Sequence, residues 1–402
     1  MERIVVVGAG QAGASCVAKL RSEGFTGAIT LIGEEHAPPY QRPPLSKAYL
    51  LGEMALERLY LRPESYYAEN GIALMLDTTV QAIDRADRKV IASGRAIPYD
   101  ALVLTTGSVP RRLPGRIGGE LGGVHVVRTL KDVDEMAPEI AEGRRALIVG
   151  GGYIGLEAAA VCRKKGLDVT LIEMADRILA RVACPETSAW FRALHEGKGV
   201  TVLEGVGLTT LTEADGHVAG AVFSDGSEHP FDLVIAGIGI TPASALAEAA
   251  GLTIDNGIAV DALGRTSDPA IWSAGDCASF PYRGGRIRLE SVQNAIDQAE
   301  AVARNILGHG EDYVPHPWFW SDQYDVKLQI AGLNTGYSDV VVRGAGDARS
   351  HWYYAGDTLL SVDAMNDPRA YMVGKRLIEA GKSPARDAVA DPEADLKALL
   401  RA

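Results

Sequence analysis

The sequence predicts an α/β protein of two doubly wound, mainly parallel sheets followed by a smaller α+β domain. Three observations carry that prediction. Two glycine fingerprints, Gly8-Ala9-Gly10-Gln11-Ala12-Gly13 and Gly150-Gly151-Gly152-Tyr153-Ile154-Gly155, each sit between a β-branched run and an alanine-rich stretch. Each is answered later by an aromatic-Asp pair, an apolar run and a glycine ending, Tyr99-Asp100 to Gly107 and Phe231-Asp232 to Gly237-Ile238-Gly239, so the pattern is an internal repeat. From Pro315 onward the apolar spacing changes to period two.

The first element is the strand Ile4-Val5-Val6-Val7, whose unbroken β-branched run suits a strand covered on both faces. In the fingerprint that follows, the first glycine permits the tight turn and the second allows a pyrophosphate close to the backbone. The third lets helix pack on strand, and the helix N-terminus turns its N–H groups to the phosphates. The next strand, Ala28 to Gly33, runs into Glu34, and in the second half Val169 to Ile172 runs into Glu173. An acid roughly 20 residues beyond the fingerprint accepts hydrogen bonds from a ribose with free hydroxyls. One such acid could be a solvated strand end; two, each completing a Rossmann-like unit, read as ribose acceptors. Two dinucleotides in one chain imply a hydride passed between them.

Composition narrows the class. A chain of 402 residues should divide into two or three domains. Its formal net charge of -12 argues against general nucleic-acid binding. No apolar stretch approaches the ~18 residues of a membrane span, and no signal-type segment is evident, so a cytoplasmic protein is expected. The 4 cysteines, Cys16, Cys162, Cys184 and Cys277, form no C-x-x-C pair, which argues against zinc and against a redox disulfide.

After the opening unit, which ends near residue 35, Pro38 to Lys47 is proline-rich where the next helix would start; Pro110 and Pro114 mark a linker between the halves. After Pro242, the buried-type strand Ala270 to Ala274 ends in Gly275-Asp276-Cys277. Ser291 caps a helix to about Leu307 whose apolar face is Ala295, Ala299, Val302, Ala303 and Ile306. Strands at Val340-Val341-Val342 and His351 to Tyr354, a hairpin turn at Gly356-Asp357 and a helix from about Arg369 to Ala380 complete the chain.

This order of motifs resembles the FAD-containing NADH:ferredoxin reductases of oxygenase systems (the putidaredoxin reductase and biphenyl dioxygenase ferredoxin reductase family) across essentially the whole chain. The most specific pieces are Pro43-Pro44-Leu45-Ser46-Lys47, Gly152 to Glu157, Gly275-Asp276-Cys277 and Trp318-Phe319-Trp320-Ser321-Asp322-Gln323-Tyr324. The resemblance implies a glutathione-reductase-like two-nucleotide core: an FAD domain over 1–110 and 240–315, an NAD domain over 111–239, and a mixed-sheet interface domain over 316–402. It implies bound FAD, NADH as co-substrate, and a [2Fe–2S] ferredoxin partner supplying a cytochrome P450 or a Rieske oxygenase. Toward FAD it assigns Gly8, Gly10, Ala12, Gly13, Glu34, Lys47, Val80, Arg128, Asp276, Val292 and Trp320. Toward NADH it assigns Gly150, Gly152, Tyr153, Ile154, Gly155, Glu157, Glu173, Gly237 and Gly239.

Some of these residues also have a chemical reading of their own. Asp276 at a strand end can accept from ribitol hydroxyls, or cap a turn. The helix from Val292 can set its N-terminus against a reduced flavin. Arg128 reads as the lone cation of an apolar strand, for FAD phosphates or for solvent. By the resemblance, Lys47 is buried in a pair with Glu157 at the flavin and nicotinamide; otherwise it is an exposed cation. Trp320 is expected over the isoalloxazine, with Trp318 and Phe319 as packing. Lys47, Glu157 and Trp320 are therefore the catalytic candidates, and no metal ligand is expected. Arg283, Arg286 and Arg288 read either as a docking patch for an acidic ferredoxin or as a solvated hairpin. An NADH oxidase, a rubredoxin reductase and an apoptosis-inducing-factor-like redox protein remain as alternatives.

Overall fold

In the computed structural model, which describes residues 1–401, the strand Arg3–Val7 lies at the centre of a five-stranded sheet. The order across that sheet is Ile271–Ser273, Ala101–Leu104, Arg3–Val7, Ala28–Ile32 and Ile72–Met75, with every neighbour parallel. It belongs to the first of two units, made of Met1–Arg42, Ala55–Val109 and Ile240–Pro317. Both faces are covered, as its β-branched strands require. On one face the helices Gln11–Ser22 and Val292–Ile306 bury Cys16, Val17, Leu20, Ala295, Ala299 and Val302 against Ile4 and Val6. The other face is closed by an antiparallel meander, Val80–Asp84, Lys89–Ala92 and Arg95–Pro98, through Val90, Ala92 and Tyr99.

The second unit comprises Pro43–Met54, Pro110–Gly239 and the chain from Trp318 onward. It repeats the first architecture: parallel strands in the order Thr201–Glu204, Asp168–Glu173, Arg145–Val149, Leu233–Ala236, Val124–His125. A second meander, Leu208–Ala214, His217–Phe223 and Glu228–Pro230, again closes one face. Neither meander was foreseen from sequence.

The same unit holds a five-stranded C-terminal sheet in the order Trp318–Gln323, Val326–Gly332, Thr358–Met365, Ala348–Ala355, Asp339–Ala345. The expected mixed sheet is antiparallel throughout: short hairpins join three of its four neighbouring pairs, and the connections are too short for parallel crossovers. The helix Pro368–Glu379, capped by Asp367, packs Ala370, Tyr371, Val373 and Leu377 on it. Among the described residues no helix is long and apolar enough to cross a membrane.

Candidate functional site

The first fingerprint forms a cradle at the end of Arg3–Val7. Gly8 has φ +111°, and a Cβ there would run into the Thr105 carbonyl, so only glycine fits. Its N–H is tied to the Ile32 carbonyl (2.8 Å) and its carbonyl accepts from Thr105 Oγ1 (2.9 Å), which fixes the turn between three strands. The helix Gln11–Ser22 is capped by Gly10 without any side-chain hydrogen bond, and a Cβ on Gly10 would meet nothing within 4 Å. Open space therefore lies over free first-turn amides, the arrangement that takes a pyrophosphate. Ala12 is buried, and Gly13 touches the Gly8 carbonyl so closely that no side chain could enter. Glu34 is exposed just beyond Ala28–Ile32, where a ribose can reach it. Its neighbour Glu35 is instead committed to Tyr40 (2.6 Å) and Arg42 (2.5 Å).

Asp276 lies beside this cradle, since a Cβ on Gly275 would stand 3.0 Å from the Ala12 Cβ. Ser108 Oγ donates to Asp276 Oδ2 at 3.1 Å, and buried Gln298 accepts the Gly275 N–H at 2.9 Å. Ser291 caps the next helix by accepting from Asn294 N–H (3.1 Å), making Val292 its first residue. Val80 begins the first meander. Arg128 needs correction: the strand ends at His125, and Arg128 precedes the Thr129–Asp132 capping box of the helix Leu130–Met136 in the second unit. Two of the three hairpin arginines are held by the protein rather than solvated. Arg286 donates to the carbonyls of Val260 and Ser279, and Arg288 to those of Asp276 and Asn256. Arg288 also pairs with Glu290 at 2.5 Å, so both guanidiniums brace unit 1.

The second fingerprint repeats the geometry. Gly150 has φ +106°, and a Cβ there would lie 2.5 Å from the Gly237 carbonyl oxygen. Gly152 caps Tyr153–Lys164 with no side-chain bond and nothing within 4 Å of a Cβ, while Gly155 is pressed against the Gly150 carbonyl. Gly237 abuts Gly155, and Gly239 has φ +99°. Glu173 stands at the mouth of the cradle, accepting from Gly151 N–H (2.7 Å) through one oxygen and Ala175 N–H (2.8 Å) through the other. Each oxygen keeps a lone pair for a ribose hydroxyl. Arg177 turns away to Ser188 (2.5 Å) and the Ala180 carbonyl. The Ile154 side chain is exposed. Tyr153 is half-buried, its hydroxyl enclosed and its ring 5.0 Å from Phe319.

Lys47 and Glu157 meet in the second unit, Nζ to Oε1 at 3.0 Å. The proline-rich Pro43–Ser46 turn presents Lys47, and the fingerprint helix presents Glu157. Ser46 Oγ donates to Glu157 Oε2 and Ser321 Oγ to Oε1, both at 2.7 Å. Burial pushes the Glu157 carboxyl above its ordinary range, against the opposing pull of Lys47 and the two hydroxyls. Both serines were missed from sequence. Ser321 lies in a quoted motif, but period two alone does not say which face of its strand meets a carboxylate. Trp318 packs on Tyr371 and under Lys375, Phe319 packs on Tyr153, and Trp320 is half-buried beside Trp318.

All 4 cysteines are free and buried. Burial pushes Cys16 and Cys162 up to about 12, far from a reactive thiolate. No group of acids, histidines and cysteines among the described residues could hold a metal ion.

Residues 2–299 match the model of the pyridine nucleotide-disulphide oxidoreductases, and residues 318–400 match that of the reductase C-terminal domain. The chain is 43% identical to rhodocoxin reductase of Rhodococcus erythropolis, covering 99% of this chain and 94% of the relative. It is 45% identical to a ferredoxin–NAD(P)+ reductase of a Sphingomonas species, covering 99% of this chain and 97% of the relative. The reductase in a covalent putidaredoxin reductase–putidaredoxin complex superposes with a TM-score of 0.97 at 39% identity, covering 100% of this chain and 98% of that one. Two glycine cradles on twin parallel sheets, a C-terminal antiparallel sheet and these full-length similarities agree: the chain belongs to the pyridine nucleotide-disulphide oxidoreductase family.

Proposed function

We propose that this protein is an FAD-dependent NADH:ferredoxin reductase that feeds electrons to a [2Fe–2S] ferredoxin, and through it to a cytochrome P450 or Rieske oxygenase. The observation that carries the reading is the pair of open glycine cradles in a chain whose cysteines are all buried and unpaired. Two dinucleotides fit, while the disulfide relay of the family's name has no residues to run on. The named activities of the relatives, ferredoxin–NAD(P)+ reductase and rhodocoxin reductase, point the same way.

A bound FAD would supply the chemistry that links a two-electron hydride donor to a one-electron iron–sulfur acceptor. The chain's own residues bind, orient and exclude water. Gly8, Gly10, Ala12 and Gly13 would hold the FAD pyrophosphate, Glu34 the adenosine ribose and Asp276 the ribitol, with Val80 and Arg128 as further contacts. The helix starting at Val292 offers backbone donors where charge develops on the reduced ring. Gly150, Gly152, Tyr153, Ile154 and Gly155 would hold the NADH pyrophosphate and Glu173 its ribose, with Gly237 and Gly239 lining the cradle. Lys47 and Glu157 we assign to the carboxamide and ring edges, and Trp320 to stacking on the isoalloxazine. We assign FAD to 1–110 and 240–315, NADH to 111–239 and the interface role to 316–402, in a cytoplasmic protein. The test is anaerobic: NADH must bleach the flavin of the purified holoprotein, and a panel of [2Fe–2S] ferredoxins must then be reduced. Flavin bleached with no ferredoxin reduced, followed by rapid oxygen consumption once air is admitted, would contradict the assignment.

A further inference from the structure

Behind the Lys47–Glu157 pair runs a line of buried polar side chains that the proposed reaction does not use. In the strand Trp318–Gln323, Ser321 and Gln323 point to the same side and are fully buried. Gln323 Nε2 donates to Ser321 Oγ at 3.2 Å, and Gln323 Oε1 lies 2.8 Å from Nε2 of His195 on the helix Pro185–Gly197. His195 Nδ1 lies 3.3 Å from the Tyr324 hydroxyl. A carbonyl oxygen can only accept, so His195 carries its proton on Nε2 and Nδ1 accepts from Tyr324. Ser321, having accepted from Gln323, gives its own proton to Glu157 Oε1. Every donor from Tyr324 to Ser321 therefore points toward one carboxylate.

We infer that Ser321, Gln323 and His195 are positioning residues: a one-directional hydrogen-bond chain that holds the Glu157 carboxylate ionised and aimed at Lys47. The role given to Glu157 here rests on the reductase reading. In a water-poor interior such a chain polarises cooperatively, and its effect falls on the terminal acceptor. Leucine at 195 and 323 would pack this sheet-to-helix contact without burying polar atoms, so the polar pair needs a reason. Burial holds the imidazole down at about 4, so it stays a neutral relay at physiological pH. At the far end Tyr324 is kept in place in the left-handed region (φ 55°), its ring 5.1 Å from His195 and beneath Lys198. The groups acting on the Glu157 carboxyl are Lys47 and Ser46 from the Pro43–Met54 segment and Ser321 from the strand; those on His195 are Gln323 and Tyr324.

The test reads Glu157 directly. The infrared carbonyl band of its protonated form, identified by its loss in Glu157→Gln, is titrated in the holoprotein and in variants. Ser321→Ala should move the midpoint upward by about one pH unit, the size of a lost charge-assisted hydrogen bond, and Gln323→Met, which removes the polarising bond behind it, should move it upward by a resolvable fraction of that. His195→Asn, too short to reach Gln323, should move it in the same direction, and His195→Gln, which keeps a donor there, should restore it. This histidine pair decides the matter if Gln323→Met does not fold. A midpoint unmoved in folded Gln323→Met or His195→Asn overturns the chain. The pH profile of kcat/KM for NADH, with ferricyanide as acceptor, separates the two readings. An acid limb that follows the midpoint supports both. A moved midpoint with an unmoved limb supports the chain and overturns the coenzyme role of Glu157.

Discussion

Thr187 and Asp363 are joined by a hydrogen bond of 3.0 Å in the interior of the second unit, where Tyr353 donates to the same Asp363 oxygen. The other Asp363 oxygen is buried with no protein partner among the described residues. Thr187 in turn faces His351 Nδ1 at 2.7 Å. Burial pushes the Asp363 carboxyl up to about 6 and holds the His351 imidazole down at about 4. An acid with a raised folded-state value contributes stability below its unfolded value and loses it as pH rises through 6. A histidine with a lowered value contributes stability above its unfolded value and loses it as pH falls through 4. Between about 4 and about 6 both groups are neutral in the folded protein, and there the acid's loss and the histidine's gain with rising pH oppose each other. In Asp363→Asn the stability lost between pH 5 and pH 8 should shrink by about 1–1.5 kcal/mol relative to the wild type, measured by urea unfolding. Parallel profiles would refute it.

Removing Lys47 leaves the Glu157 carboxyl buried without its counter-charge. Lys47→Met should cost about 1–3 kcal/mol at pH 8 and much less at pH 5, where Glu157 can take a proton instead. Denaturant unfolding at the two pH values measures it, and an equal cost at both would show that the pair carries no electrostatic weight.

The ribose role proposed for Glu173 sets an expectation for coenzyme choice. A carboxylate there would accept from ribose hydroxyls and repel a 2′-phosphate, and Arg177 is committed to Ser188. NADH should exceed NADPH in kcat/KM by on the order of a hundredfold or more. Glu173→Ala should weaken NADH use and narrow that ratio. Comparable kcat/KM for the two coenzymes in the wild type would end this reading.

The proposed ribitol contact of Asp276 makes a prediction for flavin retention. Asp276→Ala removes an acceptor for the ribitol and leaves Ser108 without its partner, weakening FAD binding by about 1–3 kcal/mol. The purified variant should be pale and regain its absorbance on adding FAD. Full flavin occupancy with unchanged affinity would exclude the role.

The strands, the two cradles and the helix capped by Ser291 were legible because glycine geometry, β-branched runs and caps are local. The Lys47–Glu157 contact was reached only through family resemblance, since no local pattern links the proline-rich turn to the fingerprint helix. The meanders escaped because short antiparallel strands carry little more than alternation. Arg128 was misplaced on a strand because Val126-Val127 is as apolar as one, while the capping box at Thr129–Asp132 had already stopped it. Ser321, Gln323 and His195 act through a contact between a strand and a helix far apart in sequence, which only the fold brings together.

The central claim is tested most directly by electron counting. With limiting NADH, no oxygen and excess [2Fe–2S] ferredoxin, the holoprotein should reduce two ferredoxins per NADH, because a hydride carries two electrons and the cluster takes one. Flavin reduced by NADH while the ferredoxins stay oxidised, with electrons passing to oxygen once air is admitted, would contradict it.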